Sequence, residues 1–440
     1  MSAKIKAGDI RKEYEDLEKE ELLDEVVDKV LEIEKLKKKL MKYENPHTPS
    51  SKQGFDKPQA QGLKVGRKKG VKSRHKGKTR DWEKPINFID VPAYCNPKTG
   101  NSNIEDTGEY EERLVVDFKI EKNVTSYKLH YYKDLDTDEV FLSHHPNVPP
   151  KGIFGKGTIA LANVLHFQYR VTFAGVAGIF ANVFDIPMDP STALGLCNRA
   201  ADAANPYYES LEAELQKSPV VNADETGSNQ NGKQEWLWGF FTSTIAFFVF
   251  YGKRGGGILE KVLKNFTGLL GCDGWITYKI FSEQYGVILQ RCWAHLIREV
   301  KYVCKDTELH NAYTWLLDIF DKMKKARLLK RESLRKKRYE DLIEELDRWT
   351  QTYSNYSKMR KLVTLIKNGK EHWFTCVIHP EIEPTNNLAE RGIRKFVILE
   401  KIMGCLRSEQ GKRTTQIMMS LIGTWKLQGL NPYKELKAIL

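Results

Sequence analysis

The chain has 440 residues, in which 70 Lys and Arg face 58 Asp and Glu for a formal net charge of +12 at pH 7, and its pI is near 9.1. That length holds two or three domains and a sizeable core, and the basic balance suits a polyanionic partner. Seven cysteines (95, 197, 272, 292, 304, 376 and 405) stand singly with no C-x-x-C pair, which fits a reducing compartment better than a disulfide framework. Apolar runs such as Ile245 to Tyr251 fall far short of the roughly 20 residues of a membrane span, and no charged-then-apolar leader opens the chain. A soluble protein without a membrane partner is expected.

Residues 10–43 are dense in Glu, Lys and Leu, with Leu23, Val26, Val30, Ile33 and Leu40 at steps of three and four and Lys37 interrupting one core position. The segment 1–45 reads as a short coiled coil joining protomers into a homo-oligomer, or as an amphipathic helix docked on its own chain. The stretch 46–84 is a linker. Between Lys57 and Arg80 it holds ten Lys or Arg and no acid, Arg67, Lys68, Lys69, Lys72 and Arg74 among them, with glycines at 62, 66, 70 and 77. It is either a solvated spacer or a flexible arm lying on DNA phosphates; the absence of acids favours the arm.

Residues 85–150 alternate like strands, notably Arg113 to Phe118 and Tyr127 to Tyr132, and predict a small β-rich module. Residues 151–217 turn helical, over Thr158–Phe167, Thr172–Phe184, Ser191–Ala204 and Tyr207–Lys217. Two of these, joined across Asp185-Ile186-Pro187, resemble a helix-turn-helix. Its second helix carries Asn198 and Arg199 as obvious base readers, and packing is as good a reading as base contact.

From 218 to 400 the pattern runs strand, strand, strand, helix, strand, helix, strand, then a helical insertion over 300–372, with a helical tail over 401–440. Between Lys322 and Arg338 the insertion has ten Lys or Arg against one acid, Glu332. The triplet Gly255-Gly256-Gly257 lacks the GK[ST] of a phosphate loop and reads as a turn. Three acids stand out. Asp224 follows the short run Val220-Val221, read as a strand ending in a turn. Asp273 follows Leu269-Leu270-Gly271-Cys272. Glu390 falls in the first turns of a helix capped by Thr385 or Asn386. Two carboxylates at strand ends and a third on a later helix can converge, and such a cluster repels itself unless divalent cations fill it.

The blocks NADETG, LLGCDGWITY, RCWAHLIREV and NNLAERGIRKFVI…SLIGTWKLQGLNPYKEL, with NPHTPSSKQ and GRKKGVKSRHKGKTR upstream, resemble those of the transposase of insertion-sequence family sixty-six. The resemblance implies an α+β multidomain protein with a ribonuclease H-like mixed α/β catalytic core. It implies a Mg²⁺-dependent DNA transposase, with Mn²⁺ as a substitute, that cuts element ends and joins 3′-hydroxyls to target DNA in the nucleoid and cytoplasm of a prokaryote, with accessory proteins of the same element as candidate partners. A nuclease of the same fold without strand transfer and a silent DNA-binding repressor are the alternatives. Asp224, Asp273 and Glu390 take the places of the catalytic, metal-binding triad. Glu225 should point away from Asp224 across the extended chain. Arg391, Arg394 and Lys395 follow Glu390 and are candidate DNA contacts, with Arg394 one turn on from Glu390; a solvated basic face is the other reading. His295 is either an auxiliary group or a structural histidine, since Cys292-x-x-His295 has no second pair to complete a zinc site. The family commonly has a Cys-rich zinc module where this chain has 85–150; Cys95 is alone there, so zinc is not expected.

Overall fold

The computed structural model describes residues 88–304 and 309–440. The amino-terminal helix, the basic arm with Arg67, Lys68, Lys69, Lys72 and Arg74, and the start of the β-module lie outside the described residues. The chain divides into two compact units, one of residues 55–124 and the other holding 125–440.

In the first unit, residues 88–124 contain no strand or helix, and Tyr94, Tyr110, Val115 and Phe118 are exposed. The alternation over Arg113–Phe118 therefore forms no strand, because no second segment among the described residues pairs with it and an unpaired strand has no ladder to satisfy its backbone. In the second unit, the expected β-module is represented by one short hairpin, β1 (Tyr131–Lys133) with β2 (Val140–Leu142).

The remainder of that unit is a mixed α/β fold. Three helices come first: α1 (Lys156–Asn163), continued by a π turn through Gln168, α2 (Phe173–Phe184) and α3 (Pro190–Gln216). Thr172 caps α2 by accepting from the Gly175 N–H, and Asp185 ends it in the left-handed conformation. Helix α3 is one rod of 27 residues that carries Pro206 inside it, not the two helices read from sequence. Its buried face (Ala193, Leu196, Ala200, Ala204) is lined by small residues and packs against α1 and α2. The two candidate base readers are engaged within the fold. Asn198 accepts from the Thr414 hydroxyl at 2.7 Å, and Arg199 donates to the Lys151 carbonyl at 2.6 Å. Both contacts favour packing over base readout.

The sheet follows. Its strands β3 (Val220–Gln230), β4 (Lys233–Phe241), β5 (Ala246–Tyr251), β6 (Leu269–Cys272) and β7 (Ile288–Arg291) lie in the order β5-β4-β3-β6-β7. The first three are antiparallel; β6 and β7 run parallel to β3. Asn231 and Gly232, both at positive φ, form the two-residue turn between β3 and β4, the Asn-Gly signature of a type I′ hairpin. Helices α4 (Gly257–Leu263) and α5 (Ile276–Tyr285) connect β5, β6 and β7. This five-strand mixed sheet is consistent with a ribonuclease H-like core.

Between β7 and the next core helix come α6 (Trp293–Val303), α7 (His310–Arg327), α8 (Glu332–Tyr353), α9 (Arg360–Asn368) and α10 (Thr375–Ile378). They bury a hydrophobic cluster of their own around Trp293, Leu316, Trp349 and Trp373. Helix α11 (Asn387–Met403) then lies across β3 and β4.

The segment after 400 is not a tail. Helix α12 (Glu409–Leu427) is buried along most of its length and packs on β5 and α3, and α13 (Pro432–Ile439) packs on α1. Side chains of α12 spaced four apart take the place of a sixth strand. Gln416, Ser420 and Thr424 accept from the N–H groups of Phe250, Phe248 and Ala246 at 3.2, 2.8 and 3.0 Å. The edge of β5 is thereby satisfied without another strand.

Candidate active site

Strand β3 is unusually polar, yet it is a strand because both of its faces have partners. Side chains alternate along it. On one face Asn222 and Ser228 meet α11: Asn222 donates to Asn386 Oδ1 at 3.0 Å and Ser228 donates to Glu400 Oε1 at 2.5 Å. Asp224 lies between them on that same face. It is not at a strand end, as its sequence suggested; it sits inside β3, opposite Gly239 of β4.

Asp273 comes level with it. Asn222 pairs with Gly271 in the parallel β3–β6 ladder, and Asp224 and Asp273 each follow their member of that pair by two residues. Neighbouring strands are about 4.8 Å apart, so the two aspartates stand side by side where β6 ends. The Trp275 N–H donates to Asp273 Oδ1 at 2.8 Å, an Asx turn that fixes the carboxylate at the start of the connection to α5.

Glu390 arrives on α11. Two glycines allow the close approach: a Cβ on Gly392 would fall 2.2 Å from the Phe241 ring, and one on Gly239 would fall 2.8 Å from Ile393. Asn386, completely buried, ties the helix start to the sheet. Its side-chain amide donates to the Ala223 carbonyl at 2.7 Å, its oxygen accepts from Asn222, and its backbone N–H donates to Cys292 Sγ at 3.1 Å. Asn386 is thus the N-cap by position, while its side chain serves β3 instead of the helix.

The electrostatics follow from this gathering. Burial first, then the charges of Glu225, Asp273 and Glu390, holds the Asp224 carboxyl well above the ordinary range. Glu225 points the other way, as expected from alternation. It accepts from Arg254 Nη2 at 2.8 Å and from the Tyr278 hydroxyl at 2.9 Å. Burial and the Asp273 charge raise its carboxyl to about 7 against the pull of Arg254. The Arg254 guanidinium lies over the Trp236 and Trp275 rings at 4.8 and 4.5 Å, and Tyr278 is buried. Trp275 and Tyr278 are therefore engaged in packing here rather than set out to stack on a base. On the far side of Asp273, buried Arg291 donates to the Leu365 carbonyl at 3.3 Å; burial lowers its pKa while the charges of Cys272 and Asp273 pull it back.

Glu390 has a second set of neighbours. His295 Nδ1 lies 3.4 Å from Oε1, Arg298 Nη2 3.8 Å from Oε2, and Cys292 Sγ 4.0 Å from Oε1. Cys292 and His295 belong to the first turn of α6, so the three-residue spacing puts thiol and imidazole on one side of that helix.

A family model described as the transposase IS66 family matches residues 151–414, from the helices before the sheet into α12. The chain belongs to the transposase IS66 family. Curated relatives of this family member include the uncharacterized protein y4jD of Sinorhizobium fredii, 26% identical over 321 residues, which are 65% of this chain and 62% of that protein. Another, y4qI of the same organism, is 25% identical over 255 residues, 50% of this chain and 47% of that protein. The chain therefore spans about half to three fifths of the length of these relatives. No helix among the described residues is long and apolar enough to cross a membrane.

Among the expected DNA contacts of this IS66-family chain, Arg391, Arg394 and Lys395 are exposed on α11. The Lys395 side chain is exposed overall, but partial desolvation of its ammonium, then the charges of Lys426 and Arg170, lower its pKa. Asn386 as a tie, Arg254 as the counter-charge of Glu225, and Arg298 beside Glu390 were not singled out from sequence. The Asn-Gly pair at 231–232 was a readable hairpin signal that would have extended β3 through Asp224.

Proposed function

We propose that the protein is a DNA transposase of an insertion sequence, cutting its element's ends and joining the 3′-hydroxyls to target DNA, with Asp224, Asp273 and Glu390 as the catalytic residues. The observation that carries this reading is the level placement of Asp224 on β3 and Asp273 just past the end of the parallel neighbour β6, with α11 closing over the same face. Three carboxylates supply the hard oxygen donors that Mg²⁺ takes, with Mn²⁺ as a substitute. After burial and Glu225, the charges of Asp273 and Glu390 also raise the Asp224 carboxyl, and a cation beside the three would relieve that repulsion. When bound, such ions activate an attacking water or 3′-hydroxyl and stabilise the leaving oxygen.

The chain's own groups do the rest. Asn386 and the Gly239–Gly392 approach hold Glu390 against β3, and the Trp275 N–H orients Asp273. Arg391, Arg394 and Lys395 offer positive charge along α11 to the phosphate backbone. The acid-free segment 57–80 would supply sequence-independent affinity, and the segment 10–43, if it forms the coiled coil expected from its sequence, would pair protomers so that both ends are held together.

Asp224→Asn, Asp273→Asn and Glu390→Gln should each abolish Mg²⁺- or Mn²⁺-dependent cleavage of end DNA while leaving gel-shift binding intact. Wild-type cleavage by any one of them removes that residue from the site. Incubating precleaved ends with target DNA separates transposase from nuclease, since only the former yields joined product.

A further inference from the structure

Cys292, His295 and Glu390 form a cluster of a different chemical kind from the carboxylates. Their ligand atoms all lie within 4.8 Å of one another. The imidazole-to-carboxylate and thiol-to-carboxylate separations are 3.4 and 4.0 Å. Ligand bonds of about 2.0 to 2.3 Å to a tetrahedral Zn²⁺ put neighbouring ligand atoms roughly 3.3 to 3.7 Å apart. A contraction of no more than about 1 Å therefore closes three of four positions around such an ion, leaving the fourth for water.

The elements that hold the cluster are fixed. Cys292 is buried at the start of α6, with its sulfur accepting from the Asn386 N–H at 3.1 Å. His295 follows one turn later, and Glu390 is carried by α11 from the same Asn386. His295 and Glu390 are each about a quarter exposed while His295 Nδ1 and Cys292 are buried, so an ion would reach the cluster past the outer parts of these two side chains.

We propose that Cys292, His295 and Glu390 bind a thiophilic divalent ion of the Zn²⁺ class, and that the bound ion draws Glu390 away from the cutting site and opposes it. Thiolate and imidazole select such ions over Mg²⁺, whose preferred ligands are oxygens. Binding displaces the Cys292 thiol proton to solvent, and no other bond changes. Because Glu390 cannot serve both sets of partners in one position, occupancy here and occupancy beside Asp224 and Asp273 are competitive. The inhibitory half rests on the function proposed above; the binding half does not.

Co²⁺ is the probe for binding. Full-length protein stripped with chelator and titrated with Co²⁺ should develop a thiolate-to-cobalt charge-transfer band and strong visible bands of tetrahedral geometry. Cys292→Ser should remove the charge-transfer band, and His295→Gln or Glu390→Gln should weaken Co²⁺ binding at least tenfold. Asp224→Asn, which alters only the oxygen site, should keep the spectrum, as should Cys95→Ser. No charge-transfer band, or one that survives Cys292→Ser, overturns the site, and His295→Gln, at a side chain about a quarter exposed and outside the hydrophobic clusters, repeats the test without disturbing the core.

Zn²⁺ should inhibit Mg²⁺-dependent nicking, excess Mg²⁺ should relieve it, and inhibition should be about tenfold weaker in His295→Gln. A Co²⁺ spectrum that tracks all three residues with no Zn²⁺ inhibition would sink the competition. Absence of nicking under every condition, with the spectrum intact, counts against the cutting function and leaves the ion site standing.

Discussion

Replacing Asn386 tests whether one buried amide holds the helix of Glu390 to the strand of Asp224. In Asn386→Ala the Ala223 carbonyl loses the donor at 2.7 Å and the Asn222 amide loses the acceptor at 3.0 Å, both in a fully buried setting. Each orphaned buried group costs about 1 to 3 kcal/mol, so the variant should lose roughly 3 kcal/mol. Such a loss lowers Tm by about 4 to 6 °C in a unit of this size. Asn222→Ala orphans one group and should cost about half as much. The two residues share a hydrogen bond, and the double variant orphans only the Ala223 carbonyl, so it should fall short of the sum by about 1 to 3 kcal/mol. Thermal and denaturant unfolding of the four proteins measure all three quantities. Cleavage should fall in Asn386→Ala well below the level set by its folded fraction, because Glu390 is no longer held in register. Melting within about 1 °C of wild type, or strict additivity of the two substitutions, would refute the bridge.

The His166 imidazole is buried against Phe167 and Phe173, donates Nδ1–H to the Val171 carbonyl at 2.8 Å, and has its pKa lowered to about 4 by burial. The unfolded chain takes up that proton near 6.5 and the folded one does not, so the contribution is intact above 6.5. It should fade as pH drops to about 4, by about 3 kcal/mol; urea midpoints across that window should fall in wild type and flatten in His166→Phe. Gly392→Ala should destabilise by about 1 to 3 kcal/mol and suppress cleavage, because its new methyl meets the Phe241 ring at 2.2 Å; an unchanged urea midpoint with full activity would show that α11 tolerates displacement. Deleting residues 57–80 removes ten cations, and if about half meet phosphates the slope of log affinity against log salt should drop by roughly 4 to 5, alike for end and random DNA. An unchanged slope in binding titrations would show that the arm does not touch DNA.

The apolar runs around 237–251, 269–272 and 287–290 announced their strands because a buried strand needs little beyond hydrophobic side chains. Strand β3 was harder. Asn222, Asp224, Gly227, Ser228 and Asn229 are turn-forming by type, and what makes them a strand is β4 on one side and the polar contacts of Asn386 and Glu400 on the face above, 164 and 171 or more residues away. The three acids could be picked out by their blocks, yet Asp224 was given a strand end it does not occupy. The neighbours of Glu390 were hidden for the same reason. Cys292 and His295 are close in sequence only to each other, and their meeting with residue 390 depends on an intervening helical insertion folding on its own tryptophans. Proline usually interrupts a helix, so the sequence predicts two helices over 191–217; packing against α1 and α2 keeps α3 continuous. The tail after 400 looked peripheral since nothing in its local pattern reveals that Gln416, Ser420 and Thr424 face backbone instead of water.

That substitution of side chains for a strand makes the sheet's outer border dependent on a segment made well after the sheet itself. Strand β5, Ala-Phe-Phe-Val-Phe-Tyr, has the composition of a self-pairing segment: aromatic, β-branched and uncharged. A shortened product ending before Glu409 would carry β5 with the Ala246, Phe248 and Phe250 amides open to any extended chain, most readily the same strand of a second truncated copy. Loss of α12 and α13 should then promote self-association through β5, so a frameshifted or prematurely stopped gene copy would yield aggregated material.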